Sequence, residues 1–371
     1  MDELSAKASL ARILDGRAWD EFCESLKGAR EALFRERSPA NAFDRAEGYR
    51  YLSRLVRLAL EKFVEHGDPR RPRFFALSRD DAKIGADNPD CRYRNCALDG
   101  SLAYRIRGRR GSSAYLGIGT YYGSYGSPGP SGCSGYLDAA DLATERDWSF
   151  EIRLAASPQP GNWLPMEPRT SSLIVREFFL DRASEVPAEL EIECLDESGP
   201  PPPLDPVALE RALRASAEFV KGAADLFTSW AEGFAQRPNE LNAPPDAQRA
   251  PAHKATNQVF YHGYWRLAPD EALVISATPP PCRYWNFQLN NYWLESLDYR
   301  HHRISVNKHS AVLEPDGSFR IVVAARDPGF GNWIDTAGHA HGTMGLRWNL
   351  AVDPPRPACR VVKLAELAPE R

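Results

Sequence analysis

The chain has 371 residues, with 46 Lys and Arg against 50 Asp and Glu, giving a formal charge of −4 and a pI near 6.1. That excludes the cationic surplus on which nucleic-acid binding rests. Hydrophobic residues at 43% and charged residues at 26% are the proportions of a folded protein of about two or three domains, and no apolar run approaches the ~20 residues of a membrane span.

The amino terminus, MDELSAKASLARILDG, carries acids early and no apolar segment, so a cytoplasmic location is expected and a secretory leader is not. The seven cysteines, Cys23, Cys91, Cys96, Cys133, Cys194, Cys282 and Cys359, include no CxxC pair. They read as reduced, small apolar side chains.

Helical spacing first appears at Trp19, Phe22, Cys23, Leu26, Ala29 and Leu33. A second helix is predicted from near Asp44, with Leu52, Leu55, Val56, Ala59, Leu60 and Phe63 as its apolar stripe and Gly67-Asp68-Pro69 as its stop. Its Glu47, Arg50, Arg54 and Arg57 follow helical spacing as a bracing ion-pair stripe. KIGADNPDCRY, with Lys83, Asp87, Asn88 and Asp90, reads as turn chemistry, and GSYGSPGPSGCSG (123–135) as a mobile loop. A third helix opens with Asp205 as N-cap and Pro206 at its first position. It buries Leu209, Leu213, Phe219, Val220, Ala223, Phe227, Trp230 and Phe234. Residues 236–258 lack periodicity and read as a surface connection. The remainder is strand-like. The expected divisions are 1–70 helical, 71–197 a first β unit, 198–249 a proline-rich linker and helix, and 250–371 a second β unit.

An internal repeat links the two β units. DWSFEIRLAASPQPGNWLPMEPRTSSLIVREFFLD is matched by DGSFRIVVAARDPGFGNWIDTAGHAHGTMGLRWNL, so Asn162, Trp163 and Arg176 correspond to Asn332, Trp333 and Arg347. YLGIGTYYG faces YWNFQLNNYW more weakly. Residues shared by both copies are read as serving the fold. Polar residues of one copy alone, Asp298, His301, His302, His309, Asp335, His339 and His341, are read as pointers to function.

The run from SATPPPCRYWNFQLNNYW through DYRHHRISVNKHS to GNWIDTAGHAHGTMGLRW resembles a bacterial family known as domain of unknown function 1214. EGYRYLSRLVR, KIGADNPDCRY, GNWLPMEP and IVREFFLD resemble the amino-terminal region that accompanies it. The resemblance implies jelly-roll-like β domains and no particular reaction. It also implies a histidine at His339 but an acid at the position of His341, a departure that weighs against a paired-histidine metal site.

If extended, His339 and His341 share a strand face, a known metal-ligand spacing that Asp335 could complete, although a divalent metal is the minority reading and no cofactor is expected. Ser305, Asn307 and His309 would share another face. Tyr284, Asn286, Gln288, Asn290 and Tyr292 would line a third, three amides in a row being suited to orienting a polar group inside an aromatic pocket. Neither G-x-S-x-G, HExxH, a Walker A loop nor G-x-G-x-x-G occurs.

The expectation is thus an α+β protein of two related β-sandwich or jelly-roll-like units with helices before and between them. As an enzyme it would be a hydrolase or lyase acting on a small, largely apolar molecule. His302, His309 or His339 would be the general base, Asp335 or Asp298 would orient it, and Arg347 or Arg176 would steady an anion. Tyr284, Asn286, Gln288, Asn290, Tyr292 and Asn307 would contact substrate. The alternatives are a non-catalytic ligand- or carbohydrate-binding sandwich and a self-associating structural protein. Neither nucleic acid nor membrane is an expected partner; a homo-oligomer is compatible with the sequence.

Overall fold

A computed structural model describes residues 3–125, 129–197, 199–243 and 258–367. Helices α1 (Glu3–Leu14), α2 (Arg17–Gly28), α3 (Ala42–Leu60) and α4 (Pro206–Phe234) form one layer, with α4 packed on the other three. Asn41 caps α3 by accepting the Asp44 N–H at 3.0 Å. Asp205 caps α4 by accepting the Val207 N–H at 2.9 Å, as its sequence position predicts. The first predicted stripe needs two corrections. The chain changes at Gly28 from α-helix to a 3-10 turn, Ala29–Phe34, and Trp19 is 60% exposed. Leu209 and Leu213 of α4 are half-buried, whereas Phe219, Val220, Ala223 and Phe227 are in the core.

Two β-sandwiches follow one plan. In the first, β1 (Cys91–Ala97), β7 (Ser172–Phe178), β3 (Tyr115–Tyr122) and β4 (Gly132–Asp138) make one sheet in that order. The facing sheet runs β6 (Asn162–Pro165), β5 (Ser149–Ala155), β2 (Tyr104–Arg109), β8 (Glu189–Cys194). After the short β9 (Glu240–Asn242), the second sandwich has β10 (Gln258–Arg266), β16 (His341–Asn349), β12 (Tyr284–Leu289) and β13 (Ser305–Asn307) in one sheet. Its other sheet is β15 (Trp333–Asp335), β14 (Phe319–Ala324), β11 (Glu271–Ala277), β17 (Ala358–Lys363). Adding nine to each strand number of the first sandwich reproduces the second, including the single parallel pair in each, β5 with β6 and β14 with β15. The repeat in the sequence is therefore a repeat of topology.

The shared asparagine and tryptophan brace both copies identically. Asn162 accepts the Ala143 N–H and donates to the carbonyls of Ala143 and Glu151. Asn332 does the same with Val312 and Arg320. The indoles of Trp163 and Trp333 donate to Ala155 O and Ala324 O, both at 3.0 Å.

Each sandwich has its own apolar interior. A third core joins α3 and α4 to Tyr292 and Trp293, and a small fourth one, around Cys91, Tyr115, Phe178 and Tyr284, joins the two units. All seven cysteines are free thiols. Residues 126–128 of the glycine-rich loop and 244–257 of the predicted connection lie outside the described residues. No described helix is long and apolar enough to cross a membrane.

Candidate functional site

Along β10, β16 and β12 alternate residues leave the sandwich interior. Val259, Tyr261, Trp265, Leu346, Trp348, Trp285, Phe287 and Leu289 belong to the core side, so period-two alternation turns Phe260, His262, Arg347, Gly345, Asn286 and Gln288 to the opposite face. Pairing places them in rows: Phe260, Arg347, Asn286 and Asn307 in one, His262, Gly345, Gln288 and Ser305 in the next. This face is not solvated. The segment Ala86–Asp90 lies over one side of it and Phe234 of α4 over the other.

Arg347 is 5% exposed and donates to Asn286 Oδ1 at 3.2 Å, to Gln288 Oε1 at 2.5 Å and to Ala86 O. The amides continue the network: Gln288 donates to Asp87 O at 2.7 Å and to Asn290 Oδ1 at 2.6 Å, and Asn286 donates to Asn88 Oδ1 at 3.0 Å. Asn88 donates in turn to the Tyr284 phenol at 3.0 Å, and that phenol donates to Asp90 at 2.7 Å. Burial pushes the carboxyls of Asp87 and Asp90 upward, against the pull of Lys83 and the Ser296 bonds on the first and of the Tyr284 and Asn307 bonds on the second. The predicted turn KIGADNPD is thus a buried strap whose polar groups are spent on the sheet.

His262 is 9% exposed and lies between two parallel phenyl rings, Phe234 at 5.4 Å and Phe260 at 5.6 Å between centroids. Neither ring nitrogen has a hydrogen-bond partner among the described residues, and neither is a fully buried atom left unsatisfied. Burial, and then the Arg347 charge, lowers its pKa to about 3, so the imidazole is neutral and offers one donor and one acceptor. The backbone beside it leaves room for a methyl group. A Cβ built on Gly345 would meet nothing nearer than His262 Nδ1 at 3.6 Å. On the other described strand glycines it would fall within 3.0 Å of a neighbour, as at Gly117, Gly263 and Gly342.

The predicted site residues fall into separate places. Tyr284, Asn286, Gln288, Asn290 and Arg347 converge on this face. Asn307 borders it: its Oδ1 accepts the N–H groups of His309 and Ser310, and its Nδ2 donates to Leu180 O at 3.0 Å. Tyr292 lies past the end of β12 in the helical core, its phenol directed to Arg37 O.

The histidines are not brought together. His301 contacts Asp298 at 2.8 Å and His302 contacts Asp335 at 2.7 Å, both pairs near solvent. Strand β13 ends at Asn307, so His309 sits in an exposed turn and not on the face with Ser305 and Asn307. Strand β16 starts at His341, so His339 precedes it and the two share no strand face. His339 Nε2 lies 3.0 Å from Glu47, while His341 Nε2 lies 3.1 Å from Asp44 and its Nδ1 2.7 Å from the Tyr264 phenol. Both are tied to α3. Among the described residues, no group of three or more His, Cys, Asp and Glu could hold a metal ion.

Arg176 faces the other way from its own sandwich core, in a row with Tyr93, Gly117 and Asp138 that corresponds to the row of Arg347. It donates to the Tyr121 phenol at 2.9 Å. His262 lies outside the histidine-rich stretch His301–His341 that stands out in the sequence. The available signal was YHGYW, a histidine at an alternating position of an otherwise aromatic strand. Its cross-strand partner, Gly345, could not be read without the register.

A family model described as "Protein of unknown function (DUF1214)" matches residues 269–349. Among solved structures, the chain is similar to an uncharacterized protein from Burkholderia cenocepacia, with 48% identity and a TM-score of 0.94 over 96% of this chain and 99% of that one. It has a weaker likeness to the VPA0106 protein from Vibrio parahaemolyticus, with 12% identity and a TM-score of 0.49 over 91% of this chain and 100% of that one. No curated protein matches it significantly.

Proposed function

The chain belongs to the DUF1214 family of proteins of unknown function, and from the site just described we propose that it binds a small molecule with an anionic group and an apolar body, and performs acid–base chemistry on it. The anion lies on Arg347, which has no carboxylate in contact among the described residues. The apolar body lies against the rings of Phe260 and Phe234. His262 is the proton acceptor in place of the dispersed His302, His309 and His339.

The observation that carries this reading is the imidazole of His262, largely buried between two phenyl rings and without a hydrogen-bond partner among the described residues, on the same sheet face as Arg347 and opposite Gly345, where a methyl group would make only ordinary contacts. An anion arriving next to His262 also counters the Arg347 charge, moving the imidazole toward the range in which it accepts protons near neutral pH.

The test is calorimetric titration of the full chain with benzoate and octanoate, followed by a screen for turnover of small esters and amides that keep a free carboxylate. Benzoate or octanoate should bind to the parent protein, and binding should fall by tenfold or more in Arg347→Gln and His262→Phe. Binding of neither acid, or equal binding in all three proteins, would refute the proposal.

A further inference from the structure

A cavity of about 350 Å³ lies among helices α1, α2 and α4. Helical spacing sets its walls: Ala18, Glu21 and Phe22 share a face of α2, Arg214 and Ala217 a face of α4, and Arg12 reaches in from α1. Ala18, Phe22 and Ala217 are buried and make an apolar floor. Two of these three are alanines, which fill little of the space between the helices. The volume is at the small end of the roughly 300–1,000 Å³ usual for small-molecule sites. From Arg214 to Phe234 the helix α4 rises about 30 Å, so the cavity is separate from the face at His262.

Its charges are only partly spent on one another. Glu210, buried on α4, accepts Arg12 Nε at 2.9 Å and the Ser9 hydroxyl at 3.1 Å, and Arg214 Nη2 donates to it as well. Burial raises its carboxyl, but the Arg214, Arg12 and Ser9 bonds bring it below its ordinary 4.5. It is therefore ionised at neutral pH and holds both guanidiniums in place. Arg214 gives a single nitrogen to that contact; its Nε and Nη1 have no hydrogen-bond partner among the described residues. Glu21 comes no closer than 3.9 Å to Arg12, and its carboxylate accepts no hydrogen bond among the described residues. The α4 wall thus offers cationic donors and the α2 wall an anionic acceptor. A plain anion would be repelled by Glu21, and a plain cation by Arg12 and Arg214, whereas a molecule carrying both charges satisfies both walls.

We propose that this cavity binds a free apolar α-amino acid in its zwitterionic form, with its carboxylate on Arg214, its ammonium on Glu21 and its side chain on Phe22, Ala18 and Ala217. The site shares no residue with the Arg347–His262 face, so the two are occupied independently. The amino acid is an occupant distinct from the carboxylate of that face.

The experiment is calorimetry of the full chain with L-leucine and L-phenylalanine, each compared with its N-acetyl derivative, which lacks the ammonium, and its amide, which lacks the carboxylate. At least one amino acid should bind tenfold or more tightly than both of its derivatives, as two charge-assisted contacts require. Glu21→Gln should bring the ratio to the N-acetyl derivative down to about one, and Arg214→Gln should do the same for the ratio to the amide. Glu21 and Arg214 are exposed, and Glu210 keeps Arg12 and Ser9 when Arg214 is replaced. Arg214→Lys, which keeps the charge should the glutamine variant not fold, should give an intermediate ratio. His262→Phe and Arg347→Gln should leave amino-acid binding unchanged. Loss of binding in those two with retention in Glu21→Gln would move the amino acid to the Arg347 face and overturn this site. Binding of neither amino acid, or equal binding of an amino acid and its derivatives, would overturn it too, whatever benzoate and octanoate do.

Discussion

Nε2 of His339 lies 3.0 Å from the carboxylate of Glu47, with 8% and 9% of the two side chains exposed. The contact ties the start of the last long strand to a helix 292 residues earlier in the chain. Burial lowers the pKa of His339, but the hydrogen bond and charge of Glu47 and the carbonyls of Thr336 and Ala337 raise it further, above its ordinary 6.5. For Asp44, burial raises the carboxyl, and the His341 and Asn41 bonds bring it below 3.8.

The signs of the two groups are opposite. Stabilisation from His339 is complete below pH 6.5 and lost as pH rises through its higher folded value; that from Asp44 is present above pH 3.8 and lost as pH falls through its lower folded value. Attachment of α3 is therefore tightest between about pH 4 and 6.5. In urea melts, Glu47→Gln should lose about 1–3 kcal/mol at pH 6 and distinctly less at pH 8.5. An equal loss at both pH values would contradict the assignment.

His262 gives the reverse slope. Its folded pKa of about 3 lies below the ordinary 6.5, so the unfolded chain takes up a proton there and the folded one does not. The stability linked to this group is present above pH 6.5 and declines by up to about 1.4 kcal/mol per pH unit below it. His262→Phe keeps an aromatic ring between Phe234 and Phe260 and loses no hydrogen bond. Its stability at pH 7.5 should stay within about 1 kcal/mol of the parent, and its advantage should grow as pH falls from 6.5 to 4.5. A variant less stable than the parent at pH 4.5 would show that the imidazole has a partner.

Much of this architecture was legible in the sequence. Asp205-Pro206 marks a helix start because the side-chain acceptor and the missing N–H act locally. The duplicated Asn-Trp pair marks two equivalent strands because the braces are short-range. The site was less legible because it depends on register. The amide row Asn286, Gln288 and Asn290 reads correctly as one strand face, but nothing local says that Ala86–Asp90 covers it. Asp-Asn-Pro-Asp is a turn signal wherever it occurs, and only the long-range bonds from Gln288 and Arg347 make it a strap. Sorting residues by presence in one copy alone failed for a physical reason. His301, His302 and His309 are unique because exposed turns tolerate change, whereas the shared Arg176 and Arg347 each bond a side chain of the neighbouring strand, Tyr121 in the first copy and Asn286 and Gln288 in the second.

The two copies of that brace should differ in energetic weight. Asn332 is 4% exposed, whereas Asn162 is only half-buried. Each makes three hydrogen bonds, but water can reach the groups stranded when Asn162 is removed. Asn332→Ala should cost about 2–4 kcal/mol and Asn162→Ala about half as much. Denaturant unfolding monitored by tryptophan fluorescence would measure both, and equal losses would mean that burial does not set the cost.

Glycine supplies the sharpest contrast between tight and ordinary packing. At Gly117 an added methyl would fall 1.8 Å from the Tyr136 hydroxyl and 2.8 Å from that of Tyr115, two phenols that already touch one another. Gly117→Ala should therefore displace the tyrosines around Arg176 and cost about 1–3 kcal/mol. At Gly345 the same methyl meets His262 Nδ1 at 3.6 Å, an ordinary contact. Gly345→Ala should leave stability within about 1 kcal/mol of the parent, or raise it slightly by restricting the unfolded chain. The methyl would nevertheless stand in the space assigned to the ligand, so carboxylate affinity should fall at least tenfold while the melting temperature holds. A Gly345→Ala protein that binds benzoate or octanoate as well as the parent would place the ligand elsewhere.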